Sequence, residues 1–124
     1  MAEANIQRLI VSEVKEVMTV PPAGTTTFSF LSGSIFYITY SLGPTISFTN
    51  IPVTEDGVTS ITLITPTNTI PRPTTLTVNG TTQAVRWAGG TAPSGSGNIN
   101  YWNYNILVRN GVIEHVAGSV VSYG

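Results

Sequence analysis

The sequence predicts an all-β fold, an antiparallel β-sandwich of jelly-roll type, and three observations carry that prediction. Two Asn-Gly pairs, Asn79-Gly80 and Asn110-Gly111, each sit between runs of alternating apolar and polar residues. A type I′ hairpin turn needs φ > 0 at both central residues, and Asn-Gly is the pair that tolerates it best. The second observation is the surface. Charged residues make up 9% of the chain, against about a quarter in ordinary globular proteins, and Thr, Ser and Asn take their place. Threonine is β-branched and favours pleated strands. The third is rhythm, about eight short alternating segments separated by Gly and Pro.

The totals bound what the molecule can be. At 124 residues it is one domain, large enough to bury a single core without staples. There is no cysteine, which removes disulfide frameworks, thiol nucleophiles and thiolate metal sites together. No apolar run approaches the roughly 18 residues of a spanning helix, so membrane insertion is not expected. Five scattered cations at net charge −1 do not form the basic stripe that nucleic acid requires.

Residues 1–20 form an arm or first element, distinct from a sandwich over 21–124. In "ANIQRLIVSEVKEVM", Ile6, Leu9, Ile10, Val14 and Val17 make a helical stripe opposite Gln7, Arg8, Lys15 and Glu16. Strand periodicity fits it nearly as well, so helix and strand both stand, until Pro21-Pro22 ends the segment. Five of the eleven charges of the chain lie here, while Val17 to Thr54 carry none. An amphipathic segment set off by prolines suits docking to a partner. These five apolar residues are therefore the candidate anchor.

Beyond the turn "PPAGTT" the reading is strand throughout: "TTFSFLSG", "SIFYITYSLG", "TISFTNI" and, past the turn "PVTEDG", "VTSITLIT". "PTNTIPRP" is a connection, since proline cannot donate within a central strand. "TTLTVNGTTQAVRW" reads as one hairpin and "INYWNYNILVRNGVIEHVAGSVVSYG" as another.

Chemistry-bearing constellations are sparse. His115 is the single histidine; its strand parity is that of Ile113 and Ala117, and it has no companion at metal or acid–base spacing. Glu55-Asp56-Gly57 lacks the further oxygen ligands of a calcium loop and reads as a turn. "GGTAPSGSG" has no lysine and opens a strand, which rules out a phosphate cradle. Asn79-Gly80-Thr81 matches a glycosylation acceptor, although the hairpin turn accounts for it. No catalytic residue, metal or cofactor is expected. Trp102 and Tyr104 share parity with Ile106 and Val108 and face the core. The surface candidates are Trp87, Thr91, Ser94, Ser96, Asn98, Asn100 and Tyr101, in and beside the 88–100 loop, where an aromatic ring can stack on a sugar or anchor a partner.

In order along the chain come the Asn79-Gly80 hairpin, Arg86-Trp87, Gly89-Gly90, Pro93, a polar Gly/Ser loop, an aromatic strand and a terminal Tyr123-Gly124. Over roughly residues 44–124 this pattern resembles the small β-rich virion proteins of tailed bacteriophages: tail-fibre tip domains, and knob-like or capsid decoration proteins of phages infecting marine bacteria and cyanobacteria. Residues 1–43 carry no such likeness. The resemblance implies a non-enzymatic structural protein on the virion surface, homotrimeric, made in the host cytoplasm and contacting major capsid or tail proteins. A stalk precedes such domains in fibres; its lack ahead of Met1 favours a small free-standing knob. Recognition of host surface glycan through the 88–100 loop is the alternative.

Overall fold

The computed structural model describes residues 17–66, 75–93 and 97–124. These hold ten strands: β1 (Met18–Thr19), β2 (Thr27–Ser29), β3 (Ile35–Tyr37), β4 (Thr45–Thr49), β5 (Gly57–Thr65), β6 (Thr75–Val78), β7 (Thr81–Gln83), β8 (Val85–Trp87), β9 (Ile99–Arg109) and β10 (Val112–Tyr123). A six-stranded sheet, in the order β1-β3-β5-β9-β10-β8, packs on a four-stranded sheet, β2-β4-β6-β7. The all-β class is as the sequence predicts. Among the described residues the only helical pieces are 3-10 turns at Phe30–Ser32 and Ala88–Gly90.

The strand directions differ from the expected antiparallel arrangement. Both sheets are mixed. β1, β3 and β5 run parallel to one another, as do β2, β4 and β6, and β8 is parallel to β10. The cause lies in the connections. From β1 to β6 the chain changes layer after every strand, so each return to a layer runs in the same direction. This is the winding of a solenoid, and no jelly-roll path of antiparallel Greek keys describes it. Antiparallel pairing is kept by the two Asn-Gly hairpins, β6–β7 and β9–β10, and by the long β5–β9 ladder.

Parallel register places like beside like. Phe28 pairs with Phe48 and Phe48 with Val78, Ile46 pairs with Leu76, and Phe36 with Leu63. All of these side chains are buried in one core shared by the two sheets. Rings close the gap between layers: Phe28 lies 5.1 Å from Phe36 between centroids, and Phe48 meets Tyr104 edge-on at 5.4 Å. Trp102, Tyr104, Ile106 and Val108 face this core, as their parity predicts. Burial pushes the Tyr104 phenol far above its ordinary range, and that of Tyr40 upward as well.

The predicted single strand "TTQAVRW" is two. β7 ends at Gln83 in the four-stranded sheet, Ala84 makes the crossing, and β8 joins the edge of the six-stranded sheet. The edge strands β1, β2, β7 and β8 have only two or three residues each, which limits the backbone they offer to aggregation. Ile6, Leu9, Ile10 and Val14 lie outside the described residues. Val17 is exposed, and Met18–Thr19 pair with Ile35–Phe36 ahead of the Pro21-Pro22 boundary.

Both hairpin tips have the predicted geometry, with φ of 50° and 85° at Asn79-Gly80 and 55° and 78° at Asn110-Gly111. A Cβ on Gly111 would meet nothing within 4 Å. Gly111→Ala is therefore expected to cost only its left-handed backbone, about 1–2 kcal/mol, read as a lower urea midpoint at unchanged slope. An unchanged midpoint would show that the turn relaxes to another type.

Candidate functional site

The long β9–β10 hairpin sets the outer face of the six-stranded sheet. Even positions of β9 point to the core, so odd positions point outward. A β-bulge between Ile113 and His115 decides what lies opposite them. Ile113 pairs with Val108 on the inner face, while His115 pairs with Leu107 on the outer face. The parity expected to join Ile113 and His115 is broken, because Glu114 is the extra residue of the bulge. The Glu114 carboxylate instead accepts a 3.0 Å ion pair from Arg109 across the turn.

The same one-residue shift brings Val121 opposite Tyr101 and Tyr123 opposite Ile99. With Ile64 beside Tyr101 and Tyr37 beside Ile64, a row of apolar side chains crosses four strands. Its outer members are open to solvent: Ile99 is 42% exposed, Tyr101 38%, Val121 46% and Tyr123 56%. Tyr101 and Tyr123 meet edge to face at 5.6 Å.

Next to this row lies a polar band with its hydrogen bonds satisfied across strands. The Thr62 hydroxyl donates to Asn103 Oδ1 at 2.9 Å, and the Ser60 hydroxyl to Asn105 Oδ1 at 2.7 Å. Opposite them stand the small residues Ser119 and Ala117, with Arg86 beyond. A shallow depression of about 340 Å³, lined among others by Arg86, Asn105 and Ser119, continues the band. The face is weakly charged, with Arg86 at its edge.

Where the described residues of the glycine loop rejoin the sheet, Gly97 and Asn98 border the row and are tied to it. Gly89 and Gly90 both take left-handed backbone, at φ 78° and 80°. Gly97 passes so close to the last strand that a Cβ would stand 2.7 Å from the Tyr123 carbonyl oxygen. The Asn98 N–H donates to that carbonyl at 2.7 Å. Asn100 clamps Gly97 from below: its Oδ1 accepts from the Gly97 N–H at 3.0 Å, and its Nδ2 donates to the Gly97 carbonyl at 3.1 Å.

Asn100 is thus corrected from surface candidate to buried strut, with no exposed area; it has the inward parity of Trp102. Trp87 is half-buried, its ring edge-on to Trp102 at 6.2 Å and to Tyr104 at 5.9 Å, so most of that ring packs the core. Thr91, Asn98 and Tyr101 are exposed as expected. Ser94 and Ser96 lie outside the described residues. Ile99, Val121 and Tyr37 are members of the face that sequence reading missed: Val121 aligns only through the bulge, Tyr37 only through strand pairings distant in sequence, and Ile99 shares the outward parity of Tyr101.

Among the described residues no three His, Asp or Glu side chains gather to hold a metal. Asp56 has a structural task, accepting the Asn110 N–H at 2.8 Å. Among them, too, no helix is long and apolar enough to cross a membrane. No family model, curated protein or solved structure matches the chain.

Proposed function

We propose that the chain is a non-enzymatic structural protein of the bacteriophage virion surface, a small decoration or knob-like protein on capsid or tail. Copies of it meet through the outer face of the six-stranded sheet. The observation that supports this reading is the exposed row of Ile99, Tyr101, Val121 and Tyr123 beside Ile64. Contiguous exposed aromatic and aliphatic side chains on a sheet face are characteristic of interaction sites. Aromatic side chains in particular lose little conformational freedom on contact and anchor such interfaces. The low charge suits a particle surface, where contacts must persist over a wide range of salt. The resemblance over residues 44–124 supplies the virion context and the trimer as the expected number. Attachment to capsid or tail proteins is assigned to the arm of residues 1–20.

A second reading keeps the same place and changes the ligand. Tyr101 and Tyr123, with the exposed Asn98, whose N–H reaches the Tyr123 carbonyl, offer aromatic faces beside hydrogen-bonding groups for a host surface glycan.

Light scattering on the purified chain and on Val121→Asp tests the interface. The expected result is an oligomer for the wild type and a folded 13.2 kDa monomer for the variant, since a carboxylate cannot be desolvated cheaply in an apolar contact. A wild-type monomer at micromolar concentration overturns the interface. A glycan array that retains the wild type and loses Tyr101→Ala would favour the second reading. A density map of the parent particle lacking this chain would overturn the virion assignment.

A further inference from the structure

The two Asn-Gly turns are chemically unequal although their backbones match. Asn-Gly is the dipeptide most open to deamidation, since glycine puts no side chain in the way of its own nitrogen. The Gly nitrogen gives up its proton to solvent base and attacks the Asn Cγ; the Cγ–Nδ2 bond breaks, and the departing nitrogen takes up a proton and leaves as ammonia. Water then opens the resulting succinimide to aspartate or isoaspartate. Attack requires the side-chain amide to rotate onto the following nitrogen.

At Asn79 that rotation is opposed. Its Oδ1 accepts from the Ile51 N–H at 3.0 Å and its Nδ2 donates to the Ile51 carbonyl at 2.9 Å. Its amide therefore holds the backbone of one residue, Ile51, by both its N–H and its carbonyl. At Asn110 only the backbone is held, through its N–H to Asp56. Its side chain has no hydrogen bond to any described residue. Both asparagines are exposed and both turns have φ > 0 at Asn and Gly. The turns share the sign of φ at both residues, while the Asn79 amide is clamped and its hydrogen bonds are partly buried; the clamp is the difference in bonding.

We propose that Asn110 is a site of spontaneous deamidation in the native protein, and that the Ile51 clamp protects Asn79. At Asn110 the product places a second carboxylate beside Asp56. In its isoaspartyl form it also adds a methylene to the backbone of a two-residue turn. The tip of the longest hairpin thus ages by a change of charge and of turn length, independently of the oligomer interface at its other end.

Peptide mapping by mass spectrometry tests this on the intact chain, incubated at mildly alkaline pH in native buffer and, in parallel, unfolded in concentrated guanidinium. Two net hydrogen bonds to break predict conversion at Asn79 roughly thirty-fold slower than at Asn110 in the native protein. In the unfolded chain the two should convert at the same rate. Equal native rates would overturn the protective role of the clamp. An intact Asn110 beside a converting unfolded control would overturn the site itself.

Discussion

Replacing Trp102 by alanine is expected to cost about 3–5 kcal/mol of stability, much of the roughly 5–15 kcal/mol that a domain has in total. Trp102 is wholly buried. Its ring stands edge-on to Trp87 at 6.2 Å, so truncation opens a cavity beneath the half-buried β8 edge. Its Nε1–H also donates to the Thr65 hydroxyl at 3.2 Å, and Thr65 has no exposed area. Alanine thus leaves a void and removes the donor to a buried oxygen. Trp102→Phe separates the two effects, because it keeps most of the ring and loses the N–H; about 1–3 kcal/mol belongs to that loss. Urea unfolding at one fixed protein concentration measures both, since oligomerisation makes stability depend on concentration. A loss below about 1 kcal/mol for Trp102→Ala would mean that the core collapses onto the site.

Local features of the fold were legible and long-range ones were not. Asn79-Gly80 and Asn110-Gly111 specify φ > 0 at adjacent residues, which a two-residue hairpin demands, and both turns form there. The inward parity of Trp102 and Tyr104 likewise follows from strand alternation. Direction within a sheet is another matter. A Gly or Pro turn that ends a strand looks the same whether the chain folds back or crosses to the opposite layer, and β1 to β6 cross every time. The winding also leaves no repeat to find, since Met18 pairs with Ile35 but Ile35 with Thr62, unequal steps along the chain. The candidate face was half legible. Tyr101 followed from parity. Asn100 could have been placed inside by the same parity, since it lies two residues from Trp102. Val121 and Tyr123 join Tyr101 and Ile99 only because Glu114 bulges, and no residue near it announces an irregularity.

Gly118→Ala should show that the glycines of this chain serve two different physical needs. Gly111 answers a backbone need, since it is left-handed with open space around it. Gly118 answers a packing need. Its φ is not in the left-handed region, yet a Cβ there would stand 2.8 Å from Cε3 and Cζ3 of Trp87 and 2.8 Å from Cγ1 of Val85. Gly118 pairs with Trp87 on one side and Tyr104 on the other, so Trp87 folds over the space that a side chain would fill. Trp87 cannot slide inward, because Trp102 and Tyr104 already hold its ring edge-on. The methyl group must push β8 outward, at about 1–3 kcal/mol for overpacking. A double-mutant cycle with Trp87→Ala isolates that cause. Contacting residues are not additive, so Gly118→Ala should lose most of its penalty once the indole is gone, with the remainder owed to Val85. The same penalty in both backgrounds would remove Trp87 from the explanation and leave the strand backbone as the source of the strain.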